Sequence, residues 1–141
     1  MNILVALGGT FLLILVGKLI FHLQLPQQVG MVFLAWVLST LTFAAMGFLV
    51  AALASTARIA QVVGMVLFFT MMFLSGAAFP SQMFPEWLQQ VRLIFPMTHA
   101  VILLQGLWFD ENWSTHWVAI SILALTLVLC AGLAVRYFRW E

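Results

Sequence analysis

The sequence predicts an all-α integral membrane protein, with four transmembrane helices plus a short re-entrant or interfacial helical pair between the third and the fourth. Three observations carry that expectation. Of the 141 residues, 65% are hydrophobic and 6% charged, and the mean hydropathy is +1.17, whereas soluble domains hold roughly 45–50% apolar and about 25% charged residues. Four apolar stretches each approach the roughly 20 residues that a helix needs to cross about 30 Å of hydrocarbon. One interruption, SGAAFPSQMFPEWLQ from Ser75 to Gln89, separates the third stretch from the last. The same composition leaves no polar stretch long enough for a solvent-exposed catalytic domain. A net charge of +1 with no basic patch gives nothing to bind nucleic acid.

Helices are the required form, because lipid offers no partner to backbone N–H and C=O groups and the chain lacks the alternation of barrel strands. The first span is expected from about Ile3 to Phe21. Lys18 lies one turn from its end, where an ammonium snorkels to the headgroups. Met1 leads straight into this run with no basic leader or small-residue cleavage site, so a signal peptide is not expected. The second span runs from Val29 to Leu53. Within AAMGFLVAALAS, Gly47, Ala51 and Ser55 recur every four residues with Ala44 one turn earlier, a smooth stripe suited to a helix-helix seam. The third span runs from Ile59 to Ala78. Its Met65, Met71 and Met72, with Phe68, Phe69 and Phe73, suit either packing against lipid and neighbours or an apolar pathway. The fourth runs from His116 to Val135 and holds Cys130, read as a small packing residue because no second cysteine exists to pair with it.

Sidedness rests on few charges. Arg58, Arg136 and Arg139 fall on one side and Lys18 and Arg92 on the other, which places Arg58 and both termini in the cytoplasm. Trp108, Trp113 and Trp117 gather at the opposite boundary, while Tyr137 and Trp140 mark the C-terminal one.

The interruption itself has a physical reading. Ser75-Gly76 weakens a helix end, and Pro80 cannot continue a helix because it has no N–H and its ring clashes with the preceding turn. Pro85 can open a new helix with Glu86 in its first turn. In FPEWLQQVRLIF, Trp87, Leu88, Val91, Ile94 and Phe95 share one face and Glu86, Gln89 and Gln90 another, the pattern of an interfacial helix. Pro96 then opens THAVILLQGLW, from Thr98 to Trp108. Eleven helical residues reach only roughly 16 Å, half a bilayer, so the segment dips and returns. Backbone at that depth is tolerated where protein or a water-filled cavity covers it, so either a protein-lined vestibule or a surface hairpin results.

The succession LSGAAFPSQMFPEWLQQVRLIFPMTHAVILLQGLW resembles the signature of type-2 ABC exporter permeases. Ser75, Gly76 and Pro80 match its first element. Pro85, Trp87 and Leu88 match the second, and Phe95, Pro96, Thr98 and Leu104 the third. GFLVAALASTARIAQ resembles the preceding helix, cytoplasmic link and following helix of that family. Three positions depart from its pattern: His99 stands where Tyr is usual, Ile102 where a carboxylate is common, and Gln105 where Arg is common. A charged network at the outer gate is therefore not expected here. His99 is read as a hydrogen-bonded structural imidazole, with a proton switch as the alternative.

The resemblance implies an export channel with six spanning helices per unit. It also implies a cytoplasmic ATPase subunit as the motor and a second permease copy or half-transporter as a partner in the inner, or plasma, membrane. Residues Ser75, Gly76, Pro80, Pro85, Trp87, Pro96, Thr98, His99 and Gln105 are its outer-gate candidates. The chain looks like the last four spans of such a unit, hence a C-terminal fragment or truncated form. No GxxxxGK[ST] loop occurs, so no cofactor is expected in this chain and ATP is to be hydrolysed by the partner. The substrate class is not legible.

Other classes fit less of the sequence. A proton-coupled drug antiporter needs an ionisable residue deep in the membrane, and no span has a central carboxylate. A membrane structural or assembly partner needs only the spans. An enzyme finds no support, since His22, His99 and His116 lie at separate boundaries without metal-ligand spacing and Asp110-Glu111 sit in the polar approach to the last span.

Overall fold

The computed structural model describes residues 2–137, with side chains from residue 3 onward. Arg139 and Trp140, invoked above for sidedness and anchoring, lie outside the described residues. Six α-helices follow one another: α1 (Asn2–Phe21), α2 (Val29–Leu53), α3 (Ala57–Leu74), α4 (Glu86–Val91), α5 (Pro96–Trp108) and α6 (Trp117–Tyr137). Short 3-10 turns at Ser81–Met83, Arg92–Ile94 and Trp113–His116 fill the links around α4, α5 and α6. Among the described residues there is no strand. Four helices are long and apolar enough to cross a membrane, and α4 with α5 forms a pair bent by 95°.

The third helix departs from the sequence reading. It spans Ala57–Leu74 rather than Ile59–Ala78. It starts earlier because Thr56 caps it, its Oγ1 accepting from Ile59 N at 3.3 Å. It stops at Leu74 because Gly76 takes a left-handed φ of +85°, a conformation that glycine adopts without steric cost. Ser75 seals the end: its Oγ donates to Met72 O at 3.0 Å and accepts from Ala77 N at 3.2 Å.

The interfacial helix is also shorter than expected. Pro85 sits before it in an extended conformation, so α4 opens at Glu86, and α geometry ends at Val91. Of the expected apolar face, Leu88 and Phe95 are half-buried, but the other residues face outward. Trp87 and Ile94 are 65% and 76% exposed, while Gln89 tucks inward and donates from Nε2 to Phe84 O at 2.8 Å. Lipid is as apolar as a core, so a polar side chain gains more from turning inward than Trp87 does.

The core joins α2, α5 and α6 through Ala35, Ala100, Leu103, Leu107, Ala119 and Leu123. On α2 the buried line is Ala35, Ser39, Thr42 and Ala45. Thr42 Oγ1 shares its single proton between Leu38 O at 2.8 Å within α2 and Leu123 O at 3.2 Å across the seam to α6. The stripe Ala44, Gly47, Ala51 and Ser55 lies beside this line, not on it. Ala44 and Gly47 border shallow apolar grooves, and Gly47, Ala51 and Ser55 are exposed. Helix α1 stands largely apart, with Leu23 folded back over Gly17 at its end.

Sidedness of the links follows from one contact and one shared cavity. Gln27 N, in the α1–α2 link, donates to Asp110 Oδ1 in the α5–α6 link at 2.8 Å, so these two links share a side. Helices α2 and α3 separate Gln27 from Ser75, and two crossings return the chain to the side it left. The bent pair therefore begins and ends on one side. Independently, Gln105 near the end of α5 borders the same cavity as Ser75–Gln82 at its beginning.

Candidate functional site

The bent pair is built on two hinges. At the first, Phe95 is extended at φ −85° and ψ 132°, as the residue before a proline must be, and Pro96 begins α5. At the end of the Arg92–Ile94 turn, Arg92 O receives only the 3.2 Å bond from Phe95 N and Leu93 O receives no bond from the turns around it, and a carbonyl withdrawn from water costs free energy unless it is bonded. Thr98 and His99, both buried, supply the bonds. Thr98 Oγ1 donates to Arg92 O at 2.6 Å, and His99 Nε2 donates to Leu93 O at 2.7 Å. A carbonyl only accepts, so the proton of a neutral His99 resides on Nε2. These two clips tie the first turn of α5 back onto the turn before it and hold the sharp angle.

Arg92 leaves this hinge toward a cavity of about 400 Å³ bounded by Ser75–Gln82 on one side and Val101, Ile102 and Gln105 of α5 on the other. Gly76 faces the guanidinium: a Cβ built on it would stand 3.4 Å from Arg92 Nη1. Arg92 Nε is buried without a hydrogen-bond partner. Two further grooves, of about 440 and 370 Å³, flank the bundle but are apolar, the first between α2 and α6, the second mainly between α2 and α3. Phe68 and Met71 border the second groove with Met97, whereas Met65 and Phe69 face outward.

The second hinge closes by different means. Asp110, with φ +61°, takes the left-handed position after α5. Glu111 N donates to Gly106 O at 3.0 Å and Asp110 N to Leu107 O at 3.3 Å, the paired bonds of a Schellman motif. His116, nearly buried, brings Nε2 to 2.7 Å from Glu111 Oε2. The carboxylate lies off the ring N–H direction, so the contact is one of charge, an ion pair whenever the imidazole is protonated. Both groups press against Gly106. A Cβ there would collide with the His116 ring and come within 2.8 Å of Glu111 Oε2.

The outer-gate candidates thus divide. Ser75, Gly76, Pro80 and Gln105 gather at the cavity, and Pro96, Thr98 and His99 form the first hinge. Pro85 and Trp87 lie on the far side of α4, facing outward. Sequence reasoning used Arg92 only for sidedness, set Asp110, Glu111 and His116 aside as separate surface groups, and did not single out Gly106. Arg92 carried a usable signal as the single Lys or Arg between Ser75 and Trp108, but the partners of the others are set by chain reversal and have no periodic mark. Among the described residues, no three of His, Cys, Asp and Glu come together as a metal site. The arrangement can admit, orient or exclude a molecule; it presents no nucleophile with a base.

Comparison with protein-family models gives a match. A family model described as ABC-2 family transporter protein covers residues 2–136. No curated protein and no solved structure matches the chain.

Proposed function

The chain belongs to the ABC-2 transporter family as a multi-pass membrane permease component of an ABC transporter, and on that premise we propose that it serves export driven by ATP hydrolysed on a partner subunit. The observation that carries this reading is the bent pair, which enters and leaves on one side and walls a cavity with the end of α3. Irregular backbone at that depth suits a protein-lined mouth. On this reading the chain supplies the last four spans of a six-span unit. A cytoplasmic ATPase subunit and a second permease copy or half-transporter complete the machine in the inner, or plasma, membrane, with Arg58 and both chain ends in the cytoplasm.

Single cysteines in intact cells, with and without the ATPase subunit, test the proposal. Gln82→Cys and Asn112→Cys should react with an impermeant thiol reagent from outside, and Arg58→Cys only after permeabilisation. With the ATPase subunit present, nucleotide should change the rate at Gln82→Cys. Opposite sidedness of positions 82 and 112 sinks the re-entrant reading. A rate indifferent to nucleotide sinks the coupling to ATP.

A further inference from the structure

We propose that the cavity between Ser75–Gln82 and α5 is a binding site for a phosphate group, with Arg92 as its anchor. The first support is an unmatched charge. Glu86, Asp110 and Glu111 are the acidic residues among those described. Glu111 contacts His116 and Asp110 accepts from Gln27 N, while Glu86 lies exposed at the start of α4, outside the cavity lining. None of them comes within 4 Å of Arg92. A half-buried guanidinium with no carboxylate of the described residues within 4 Å, and with its Nε buried and unbonded, holds donor capacity that an oxyanion would satisfy.

The second support is the lining. Ser81, Gln82 and Gln105 border the same space with hydroxyl and amide donors, whereas the Ser75 hydroxyl is already committed to Met72 O. Donors from the loop, the hinge and α5 thus approach one volume from three directions, which suits a tetrahedral oxyanion better than a planar carboxylate. Gly76 leaves the guanidinium its room.

The third support is position and size. The cavity lies at the end of α3, one of the helices long and apolar enough to cross a membrane, and the end of such a span is where phosphodiesters are the commonest anions; about 400 Å³ exceeds what a phosphate alone would occupy. Phe79, Pro80, Val101 and Ile102 give it an apolar wall, and Phe79 stacks on Phe73 of α3 with ring centroids 5.8 Å apart. A phospholipid headgroup would lay its phosphate on Arg92 and its glycerol against this wall. The assignment holds whether or not the chain transports anything.

The test is calorimetric titration of the full chain in neutral maltoside micelles, with dihexanoyl phosphatidylglycerol, inorganic phosphate and dodecanoate as separate probes. Dihexanoyl phosphatidylglycerol should bind saturably, and Arg92→Gln should weaken it by roughly tenfold or more, the scale of one lost charge-assisted bond. Gln105→Glu, at an exposed position and nearly isosteric, plants a carboxylate in the cavity and should weaken binding as much. Arg58→Gln, which removes a cation on the other side, should leave it unchanged. Binding of inorganic phosphate with the same dependence on Arg92 supports the site with the free anion as its source; phospholipid binding alone supports the headgroup. Dodecanoate binding as tightly, absence of saturable binding, or indifference to both cavity variants overturns the proposal. Should Arg92→Gln not fold, Gln105→Glu decides.

Discussion

The two hinges of the bent pair perform the same task with opposite chemistry. At the first, side-chain donors on α5, the Thr98 hydroxyl and the His99 Nε2–H, cap backbone carbonyls, and the Arg92 guanidinium is left facing a cavity. At the second, the reversal is completed by backbone bonds, and the polar side chains Glu111 and His116 meet each other over Gly106. The difference teaches where a ligand is to be expected. A hinge whose polar side chains pair with each other is structural, and a hinge whose side-chain donors go to its own backbone leaves its guanidinium available.

Substitution can break this contrast, and the largest effect is expected at the second hinge. Gly106→Val places carbon where the His116 ring already lies. Because His116 is wedged into the bundle, relief requires α5 and α6 to separate, at a cost of about 1–3 kcal/mol or more. Thermal unfolding in micelles should show a clear loss of stability, and an unchanged midpoint would mean that the close approach at Gly106 is relieved at little cost.

Next in size are the two clips of the first hinge. Thr98→Val and His99→Leu each remove a donor to a partly buried carbonyl, for about 1–2 kcal/mol. Arg92 O keeps a second donor, Phe95 N at 3.2 Å, so Thr98→Val belongs at the lower end. The two clips brace one turn, so a double-mutant cycle should give a coupling of about 0.5 kcal/mol or more. Strict additivity would show that each holds its carbonyl independently and that the hinge is not a unit.

The smallest effect is expected for Glu111→Gln. Its side chain is 54% exposed and the contact with His116 is off-line, so the change should stay within about 1 kcal/mol. A larger loss would make the second hinge depend on charge as strongly as the first depends on neutral bonds, and the contrast between them would disappear.

Much of this architecture is legible in the residues, and what is not has identifiable causes. The four spans follow from apolar length, and the bend from Pro96 preceded by a residue that cannot be helical. The end of α3 at Leu74 was obscured because Ala77, Ala78 and Phe79 are apolar and extend the hydropathic run beyond the helical one. The seam between α2 and α6 was obscured for a different reason. An alanine-rich helix carries small residues on several faces, and spacing alone does not distinguish Ala35, Ser39, Thr42 and Ala45 from Ala44, Gly47, Ala51 and Ser55. The face that meets α6 is chosen by where Leu123 and Ala119 fit.

By itself, the sequence determined the solvent, the number of long helices and the presence of a break before the last one. Each of these depends on composition or on backbone limits local to a few residues, such as the missing N–H of proline. Tertiary structure alone decided which carbonyls Thr98 and His99 reach, that Glu111 faces His116 across Gly106, and that Arg92 ends in a cavity with no counter-charge among the described residues. Those outcomes depend on chain reversals that bring distant positions together, and a pattern read along one strand of residues holds no measure of distance across the fold.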